Sequence, residues 1–527
     1  MSREKQISKI SETNEWDVIV IGGGASGLGS ALDSTLRGYK TILFESHDFA
    51  KGTSSRSTKL VHGGVRYLAQ GDVSLVKEAL RERGLLAKNA AHLVKNQAFV
   101  IPNYSWWGGP FYLIGLSIYD MLAGKLSIGK TKYLSKKTTK KLLSNIQEKG
   151  LNSGVLYHDG QFDDARLAIN LMQSAVENNA TLVNYMQVTG LSKSESGKIN
   201  GVTIKDTISG ESFEVKGKSV INATGVFTDT ILNMNNPDHK KTVVPSQGVH
   251  LVLDKSFLPQ EDAIMIPKTS DGRVLFVVPW HEKVVVGTTD TLIEHSSFEP
   301  KALEKEIQFI LDTAKKYLVK VPTREDVLSV FAGLRPLAAP KEEGKSTKEV
   351  SRSHKIIVDK SGLVTVIGGK WTTYRQMAQE IIDEAATAGD LKKVETKTHH
   401  FSIHGNMPAS QVNRKDHLYI YGSDILEIIK LQKSNPEYAK KIHPRYDYTF
   451  AEVVWAIKHE MAVTVEDVLA RRIRFLFLDA RAAIDAAKPV AEFMAKETGK
   501  SEEWVRQQTE TFIQLAKNYL LVDYNPN

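Results

Sequence analysis

A glycine-rich turn near the amino terminus most constrains how this chain can fold. Residues 17–21 form an apolar, β-branched run suited to a buried strand, and the sequence GGGASG follows at 22–27. A helix and a second apolar run, 41–44, come next, and Glu45 ends that run. A carboxylate there can accept hydrogen bonds from ribose hydroxyls and would repel a 2′-phosphate. This order of elements predicts a unit that binds a dinucleotide.

Each residue of the turn has a physical role in such a unit. Gly22 permits the tight turn, Gly24 lets a pyrophosphate approach the backbone, and Gly27 lets the helix pack closely on the strand. The free N–H groups at the start of the helix, where Ala25 and Ser26 lie, face the anion. The turn alone leaves open whether the dinucleotide is NAD or FAD.

Length and composition limit the number of domains and the kinds of redox chemistry that the chain can support. A chain of 527 residues is too long for one core and indicates about three domains. The chain has no cysteine, which excludes disulfides, thiolate catalysis, cysteine-bound zinc and a cysteine-ligated iron–sulfur cluster. Any redox chemistry must therefore use a bound organic cofactor.

No segment resembles a signal peptide or a transmembrane helix. The first sixteen residues are polar, and the longest apolar candidate, 111–124, is short and interrupted by Asp120. We therefore expect a cytoplasmic protein.

A segment rich in aromatic residues and lysines has two interpretations. Six aromatic residues lie within 104–119, and seven lysines follow within 130–149. The segment is either a substrate-domain helix with a solvated lysine face or a surface that lies on anionic lipid, which would place the protein on the inner face of the cell membrane. Nucleic acid is not an expected partner, because no nucleic-acid module surrounds the lysines.

The rest of the chain alternates between strand-like and helical patterns. The polar stretch 52–67 follows the ribose-binding strand and is expected beside the cofactor, and 220–225 forms a second strand that ends in a glycine turn. Apolar runs within 243–291 predict a separate antiparallel sheet, and 363–370 returns to the first domain. Helices are predicted over 72–93, 159–178, 300–317, 424–432, 450–460, 465–487, 490–498 and 502–519.

Seven motifs occur in a specific order. They are GGGASG at 22–27, STKLVHGGVRY at 57–67, NATG at 222–225, GTTD at 287–290, AGLRPL at 332–337, GGKWTTYR at 368–375 and VEDVLARR at 465–472. In this order and spacing, over nearly the whole chain, they resemble the FAD-dependent glycerol-3-phosphate dehydrogenases.

The resemblance implies a fold class with three parts: an α/β FAD-binding domain with a Rossmann-like parallel sheet, an antiparallel-sheet α+β substrate domain, and a C-terminal helical domain. The predicted ranges are 1–100, 151–235 and 351–395 for the first, 101–150 and 236–350 for the second, and 396–527 for the third.

The resemblance also implies a reaction. It is the oxidation of sn-glycerol 3-phosphate to glycerone phosphate, with hydride passing from C2 to flavin N5 and the electrons passing to a quinone. This agrees with the chemistry, since no side chain accepts a hydride. Three alternatives remain: an oxidase that gives electrons to oxygen and makes hydrogen peroxide, an amino-acid oxidase, and a non-catalytic FAD-binding protein. A homodimer is a candidate assembly.

Cations within these motifs suit a phosphate dianion. We assign Arg335 and Lys370 to the phosphate or the C2 oxygen, with Arg66 in support. Tyr67 and Arg352 are further candidates for substrate contact.

Two histidines are candidate proton acceptors. His62 lies near the expected flavin ring and His250 on a substrate-domain strand, and either imidazole titrates near neutrality. His399, His400 and His404 lie in a strand-like run with no carboxylate partner in the sequence nearby, so no metal site is predicted. The predicted cofactor-binding residues are Gly22, Gly24, Ala25, Ser26, Gly27, Glu45, Thr53, Ser54, Ser55, Ser57, Thr58, Lys59, Leu60, His62, Gly63, Gly64, Val188, Ala223, Thr224, Gly225, Gly369, Lys370, Thr372 and Thr373.

Overall fold

The structure is a computed structural model that describes residues 1–64, 72–339 and 354–524. Its strands are β1 Trp16–Ile21, β2 Thr41–Phe44, β3 Leu60–Val61, β4 Lys95–Asn103, β5 Lys132–Ser135, β6 Ser153–Gln161, β7 Thr181–Val183, β8 Met186–Lys193, β9 Ile199–Asp206, β10 Ser212–Asn222, β11 Val243–Asp254, β12 Ala263–Ile266, β13 Leu275–Trp280, β14 Lys283–Gly287, β15 Thr291–Leu292, β16 Val327–Ala338, β17 Lys355–Val358 and β18 Val364–Ile367. Its α-helices are α1 Arg3–Glu12, α2 Ala25–Leu36, α3 Val73–Asn89, α4 Gly108–Ala123, α5 Lys136–Leu142, α6 Asp164–Glu177, α7 Thr228–Asn235, α8 Glu304–Tyr317, α9 Tyr374–Ala388, α10 Ile425–Ser434, α11 Phe450–His459, α12 Phe475–Leu478, α13 Ala480–Thr498 and α14 Glu502–Ala516.

The first sheet has a parallel centre in the order β18-β10-β1-β2-β7. Antiparallel β17 extends it at one edge, and the long strand β10 also pairs with β9 in a small antiparallel extension. β1 is apolar because it is buried in the middle of this sheet. Helices α2 and α9 pack against each other and against the sheet, and a Cβ on Gly29 would lie 2.9 Å from the Tyr374 ring. This is the predicted Rossmann-like domain, and the predicted fold class is confirmed.

The second sheet runs β15-β11-β14-β13-β12-β4-β6-β3, with β16 paired to β11 and β5 paired to β6. Among its described pairs only β12 and β4 are parallel. Strands β3, β4 and β6 bring residues 60–61, 95–100 and 153–161 into this sheet, although the predicted division places them in the FAD-binding domain. The helix predicted from residue 159 accordingly begins at Asp164, because β6 continues to Gln161 and the Asp163 side chain caps the helix.

The C-terminal region is helical, as predicted, but one helix is interrupted. The predicted helix over 465–487 is a π-helix, Asp467–Arg472, followed by Arg474 in the left-handed conformation (φ +65°) and then by α12 and α13. Helix α13 also runs through Pro489 into the segment predicted as a separate helix. Leu469, Ile473, Leu476 and Phe477 are all buried in one core despite this interruption.

No helix in the described ranges is both long enough and apolar enough to cross a membrane.

Candidate active site

A cavity of about 560 Å³ lies where the two sheets meet. Ile21, Phe44, Ala223 and Gly368 line it at the carboxyl ends of four parallel strands, which is the edge where open α/β sheets bind ligands. Strands of the second sheet supply further lining residues. The predicted site residues on its wall are Gly22, Gly24, Ala25, Ser26, Glu45, Thr53, Ser54, Ser57, Thr58, Leu60, His62, Gly64, Val188, Ala223, Thr224, Gly225, His250, Arg335, Gly369, Lys370 and Thr372.

The glycine turn is shaped by contacts that exclude larger residues. Gly22 has φ +109°, and a Cβ there would lie 2.7 Å from the carbonyl oxygen of Ala223. A Cβ on Gly27 would collide with the carbonyl oxygen of Gly22, so Gly27 packs helix on strand as predicted. At Gly24 a Cβ would meet only Ser54 Oγ, at 3.1 Å. Gly24 therefore leaves room for a group in the cavity.

The start of α2 differs in one detail from the prediction. The amide of Ala25 donates to Ser54 Oγ at 2.9 Å, so a side chain rather than an anion satisfies this N–H. Ser54 is itself held, because Trp371 Nε1 donates to its carbonyl oxygen at 2.9 Å. The stretch after β2 and the GGKW motif thus meet at the helix terminus.

Glu45 lies on the cavity wall in a network of backbone donors. Its carboxylate accepts from the amide of Gly23 at 2.6 Å and from the amide of His47 at 2.9 Å. Burial raises the pKa of Glu45 above its ordinary value, and these hydrogen bonds oppose that shift. These hydrogen bonds hold the carboxylate in one position on the cavity wall.

The cavity also contains the predicted cations. Arg335 Nη2 donates to Thr288 Oγ1 at 3.0 Å and to the carbonyl oxygen of Thr289 at 3.1 Å, and its Nη1 lies 3.5 Å from Asp290 Oδ1. A Cβ on Gly248 would lie 2.5 Å from the guanidinium, so glycine is needed beside it. Lys370 lines the same cavity.

Both candidate bases line the cavity. His62 donates its backbone N–H to Thr372 Oγ1 at 3.1 Å. His250 is almost fully buried, its Nε2 lies 2.9 Å from Thr58 Oγ1, and its ring stacks on Phe331. Burial, followed by the charges of Lys59 and Arg335, lowers the pKa of His250 well below its ordinary value. The imidazole is therefore neutral, and the same burial and neighbouring cations disfavour its protonation.

Five predicted cofactor residues do not line the cavity: Gly27, Ser55, Lys59, Gly63 and Thr373. Lys59 is fully buried with φ +64°, and its Nζ donates to Asp164 at 2.8 Å and to the carbonyl oxygen of Ser55 at 2.7 Å. Gly63 donates its N–H to Tyr119 Oη at 2.7 Å. These residues lie behind the wall and support it. Arg66, Tyr67 and Arg352 lie outside the described residues.

Several lining residues were not predicted. Phe227 and Phe298 stack at a centroid distance of 4.1 Å, and Lys51, Arg56 and Trp371 also line the cavity. Arg56 belongs to the polar stretch 52–67 and Lys51 directly precedes it, so their positions in the sequence could have indicated them. Nothing near Phe298 in the sequence indicates that it lines the cavity, because only the packing of the two sheets brings it to Phe227.

The prediction that His399, His400 and His404 lack a carboxylate partner is wrong for His404. His404 lies between two carboxylates, with Nδ1 2.7 Å from Glu177 and Nε2 2.7 Å from Asp424. Both partners are distant in sequence, so the sequence pattern did not reveal them.

The chain is similar to known proteins over nearly its whole length. Residues 17–375 match the family described as FAD dependent oxidoreductase, and residues 363–505 match the C-terminal domain of alpha-glycerophosphate oxidase. The mitochondrial glycerol-3-phosphate dehydrogenase of Bos taurus is 38% identical over 98% of this chain and 75% of its own length. The corresponding protein of Schizosaccharomyces pombe is 36% identical over 98% of this chain and 89% of its own length.

Solved structures share the fold of this chain. The glycerol-3-phosphate dehydrogenase of Bacillus halodurans, solved in complex with FAD, superposes with a TM-score of 0.80 and 28% identity, covering 99% of both chains. L-alpha-glycerophosphate oxidase of Mycoplasma pneumoniae shares the fold, with a TM-score of 0.54 and 18% identity over 75% of this chain and all of its own. The chain belongs to the FAD-dependent glycerol-3-phosphate dehydrogenases.

Proposed function

We propose that this protein uses FAD to oxidise sn-glycerol 3-phosphate to glycerone phosphate and passes the electrons to a quinone. One observation carries the proposal: Arg335 and Lys370 line the same cavity as the dinucleotide-binding glycine turn. A dianionic substrate needs such cations, and a scaffold that only bound FAD would not. The family match supports the same reaction.

The residues on the wall fit FAD. The open space at Gly24 suits a pyrophosphate, the fixed carboxylate of Glu45 suits a ribose, and the backbone of Ala223, Thr224 and Gly225 forms an adjacent wall. The flavin supplies a hydride acceptor, which the side chains cannot provide.

The chain's own groups bind the substrate and receive its proton. Arg335 offers a planar fork and Lys370 a point charge for the phosphate or the C2 oxygen. Asp290 and Thr288 hold the guanidinium of Arg335 in place. His62 or His250 accepts the hydroxyl proton.

An anaerobic spectrum tests the proposal. Adding sn-glycerol 3-phosphate to the yellow holoprotein should bleach the flavin, and L-amino acids should not. An unbleached flavin would instead indicate a non-catalytic FAD-binding protein. Reoxidation rates with oxygen and with a soluble quinone then separate the dehydrogenase from the oxidase, since fast turnover on oxygen alone would contradict the quinone assignment.

A surface patch supports a membrane-bound acceptor. Trp107, Phe111, Ile114 and Met121, on and just before α4, are 64–72% exposed. Contiguous exposed apolar groups mark interaction surfaces. Lysines 130, 132, 136, 137, 141 and 149 are exposed on the segment that follows. We propose that this patch rests on anionic lipid at the inner face of the cell membrane, where a quinone is dissolved.

Vesicle binding tests the membrane contact. The double variant Phe111→Ser/Ile114→Ser should lose sedimentation with anionic vesicles. Leu426→Ser is the matched control, because Leu426 is 68% exposed on α10 and outside the patch. Equal binding by the double variant and the parent would contradict the proposal. The homodimer remains a prediction for analytical ultracentrifugation.

A further inference from the structure

The described part of the C-terminal helical domain packs against residues that line the FAD cavity but does not itself contribute to the cavity wall. Among the described residues, the cavity wall takes none beyond Thr372. The segment 466–474 nevertheless carries three buried arginines, Arg471, Arg472 and Arg474, that point at residues 48–59. Residues 48–59, here called the cavity loop, supply much of the wall, including Lys51, Gly52, Thr53, Ser54, Arg56, Ser57 and Thr58.

The first anchor lies at the start of the cavity loop. The carboxylate of Asp48 is fully buried and accepts from Arg471 Nε at 2.5 Å and from Arg472 Nη1 and Nη2 at 2.7 and 2.9 Å. Burial opposes ionisation of Asp48, but the charges of Arg472 and Arg471 outweigh it and hold the pKa below its ordinary value. Arg471 also binds Glu466, which accepts from the cavity residue Lys51 at 2.7 Å.

The second anchor lies at the end of the cavity loop. Arg474 Nη2 donates to the carbonyl oxygen of Ser55 and to Asp164 Oδ1, both at 3.0 Å. The other oxygen of Asp164 accepts from the amide and the hydroxyl of Ser57, at 2.9 and 2.6 Å. The residues next to Ser55 and Ser57 line the cavity. Ser54 Oγ accepts from the amide of Ala25 at the start of α2, and Thr58 Oγ1 lies within hydrogen-bond distance of His250.

The backbone around Arg474 is shaped to reach the loop. A π-helix precedes it, and Arg474 itself has φ +65°, a conformation that costs energy for a residue other than glycine. A buried ion pair is poor evidence for stability. Lys59 Nζ also donates to Asp164 and to the carbonyl oxygen of Ser55, so two cations, Lys59 and Arg474, hold this anchor together. An ionic anchor of this kind holds one geometry in place.

We propose that the segment 466–474 positions the cavity loop for FAD and that Arg474 is the principal positioning residue. The C-terminal domain then acts on the cofactor through Ser55 and Asp164 rather than through contact with it. This inference concerns FAD alone and does not depend on the identity of the substrate.

Substitutions separate positioning from general stability. Arg474→Met removes the charge and keeps an elongated side chain, and Arg474→Lys restores the charge. Arg37→Met is the matched control, because Arg37 is equally buried in an ion pair with Asp33 at 2.7 Å and its described partners do not line the cavity. For each full-length variant, the FAD dissociation constant, the flavin absorption spectrum and the melting temperature are measured.

Arg474→Met should raise the FAD dissociation constant about tenfold or more and alter the flavin spectrum, and Arg474→Lys should recover part of both. Arg37→Met should lower the melting temperature but keep the parent's FAD affinity and spectrum. Parental FAD affinity and spectrum in Arg474→Met would overturn the proposal, and so would an equal change in Arg37→Met.

A measurement on the parent decides the matter if Arg474→Met does not fold. Hydrogen exchange of the full-length protein is compared with and without FAD. Positioning is reciprocal, so FAD should slow exchange in 466–474 as well as in the cavity loop. Protection confined to segments that line the cavity would overturn the proposal.

Discussion

The hydroxyl of Thr58 lies 2.9 Å from Nε2 of His250 and joins the cavity loop to strand β11 of the second sheet. His250 is almost fully buried, so its ring nitrogen has little water to replace a lost partner. Thr58→Val should therefore lower the free energy of unfolding by about 1–3 kcal/mol, and Thr58→Ser should lower it much less. Urea denaturation of both variants checks this, and equal losses would show that the hydrogen bond contributes nothing.

Two glycines of the turn should fail in different ways. Gly24→Val should fold but not bind FAD, because its side chain would occupy the space left for the pyrophosphate, and a Cβ at this position would meet only Ser54 Oγ. Gly27→Ala should destabilise the fold itself, since its Cβ would collide with the carbonyl oxygen of Gly22. Flavin absorbance after reconstitution and the melting temperature distinguish the two. A yellow Gly24→Val protein would contradict the assigned pyrophosphate site.

Arg335→Ala should keep FAD but lower kcat/KM for sn-glycerol 3-phosphate about 100-fold, because a charge-assisted contact to the substrate is lost. Arg335→Lys should be intermediate, since lysine supplies charge without the planar fork. Steady-state kinetics with a soluble acceptor measure both variants. Parental kinetics in Arg335→Ala would reject the role.

The ion pairs of His404 predict a pH-dependent contribution to stability. Burial opposes protonation, but hydrogen bonds to Asp424 and Glu177 outweigh it and raise the pKa of His404 to about 9. A raised histidine pKa stabilises the fold fully below the unfolded value of about 6.5, and the contribution is lost as pH rises through about 9.

His404→Gln should consequently cost about 1–3 kcal/mol of unfolding free energy near pH 6 and much less near pH 10. His400→Gln is the control, because His400 is exposed. A difference between His404→Gln and the parent that does not change with pH would exclude the ionic explanation.

Local patterns predicted the parts of the site that local geometry determines. The turn at 22–27 and Glu45 could be located because strand, glycines, helix and acid follow one another within a short segment. Lys59 shows the limit of this reasoning: it lies in the same motif as Thr58, but its backbone turns its side chain away from the cavity to Asp164. Nothing near Lys59 in the sequence identifies that partner.

Contacts between distant segments account for what the sequence did not predict. Phe298 reaches Phe227 only because the two sheets meet, and β4 and β6 join the second sheet although their apolar runs do not indicate which sheet they enter. Likewise, the helix predicted over 465–487 is broken in the region where Arg471 and Arg474 reach Asp48 and Ser55. A helical sequence pattern does not reveal such a break.

The hydrogen bond from Trp371 to the carbonyl oxygen of Ser54 has a consequence for biosynthesis. The amino-terminal unit leaves the ribosome early, and such units begin to fold during translation. Its nucleotide pocket nevertheless lacks the contact to Ser54 until Trp371 has emerged. Arg474, which binds the carbonyl oxygen of Ser55, emerges later still. We therefore expect stable flavin loading only after Arg474 has left the ribosome.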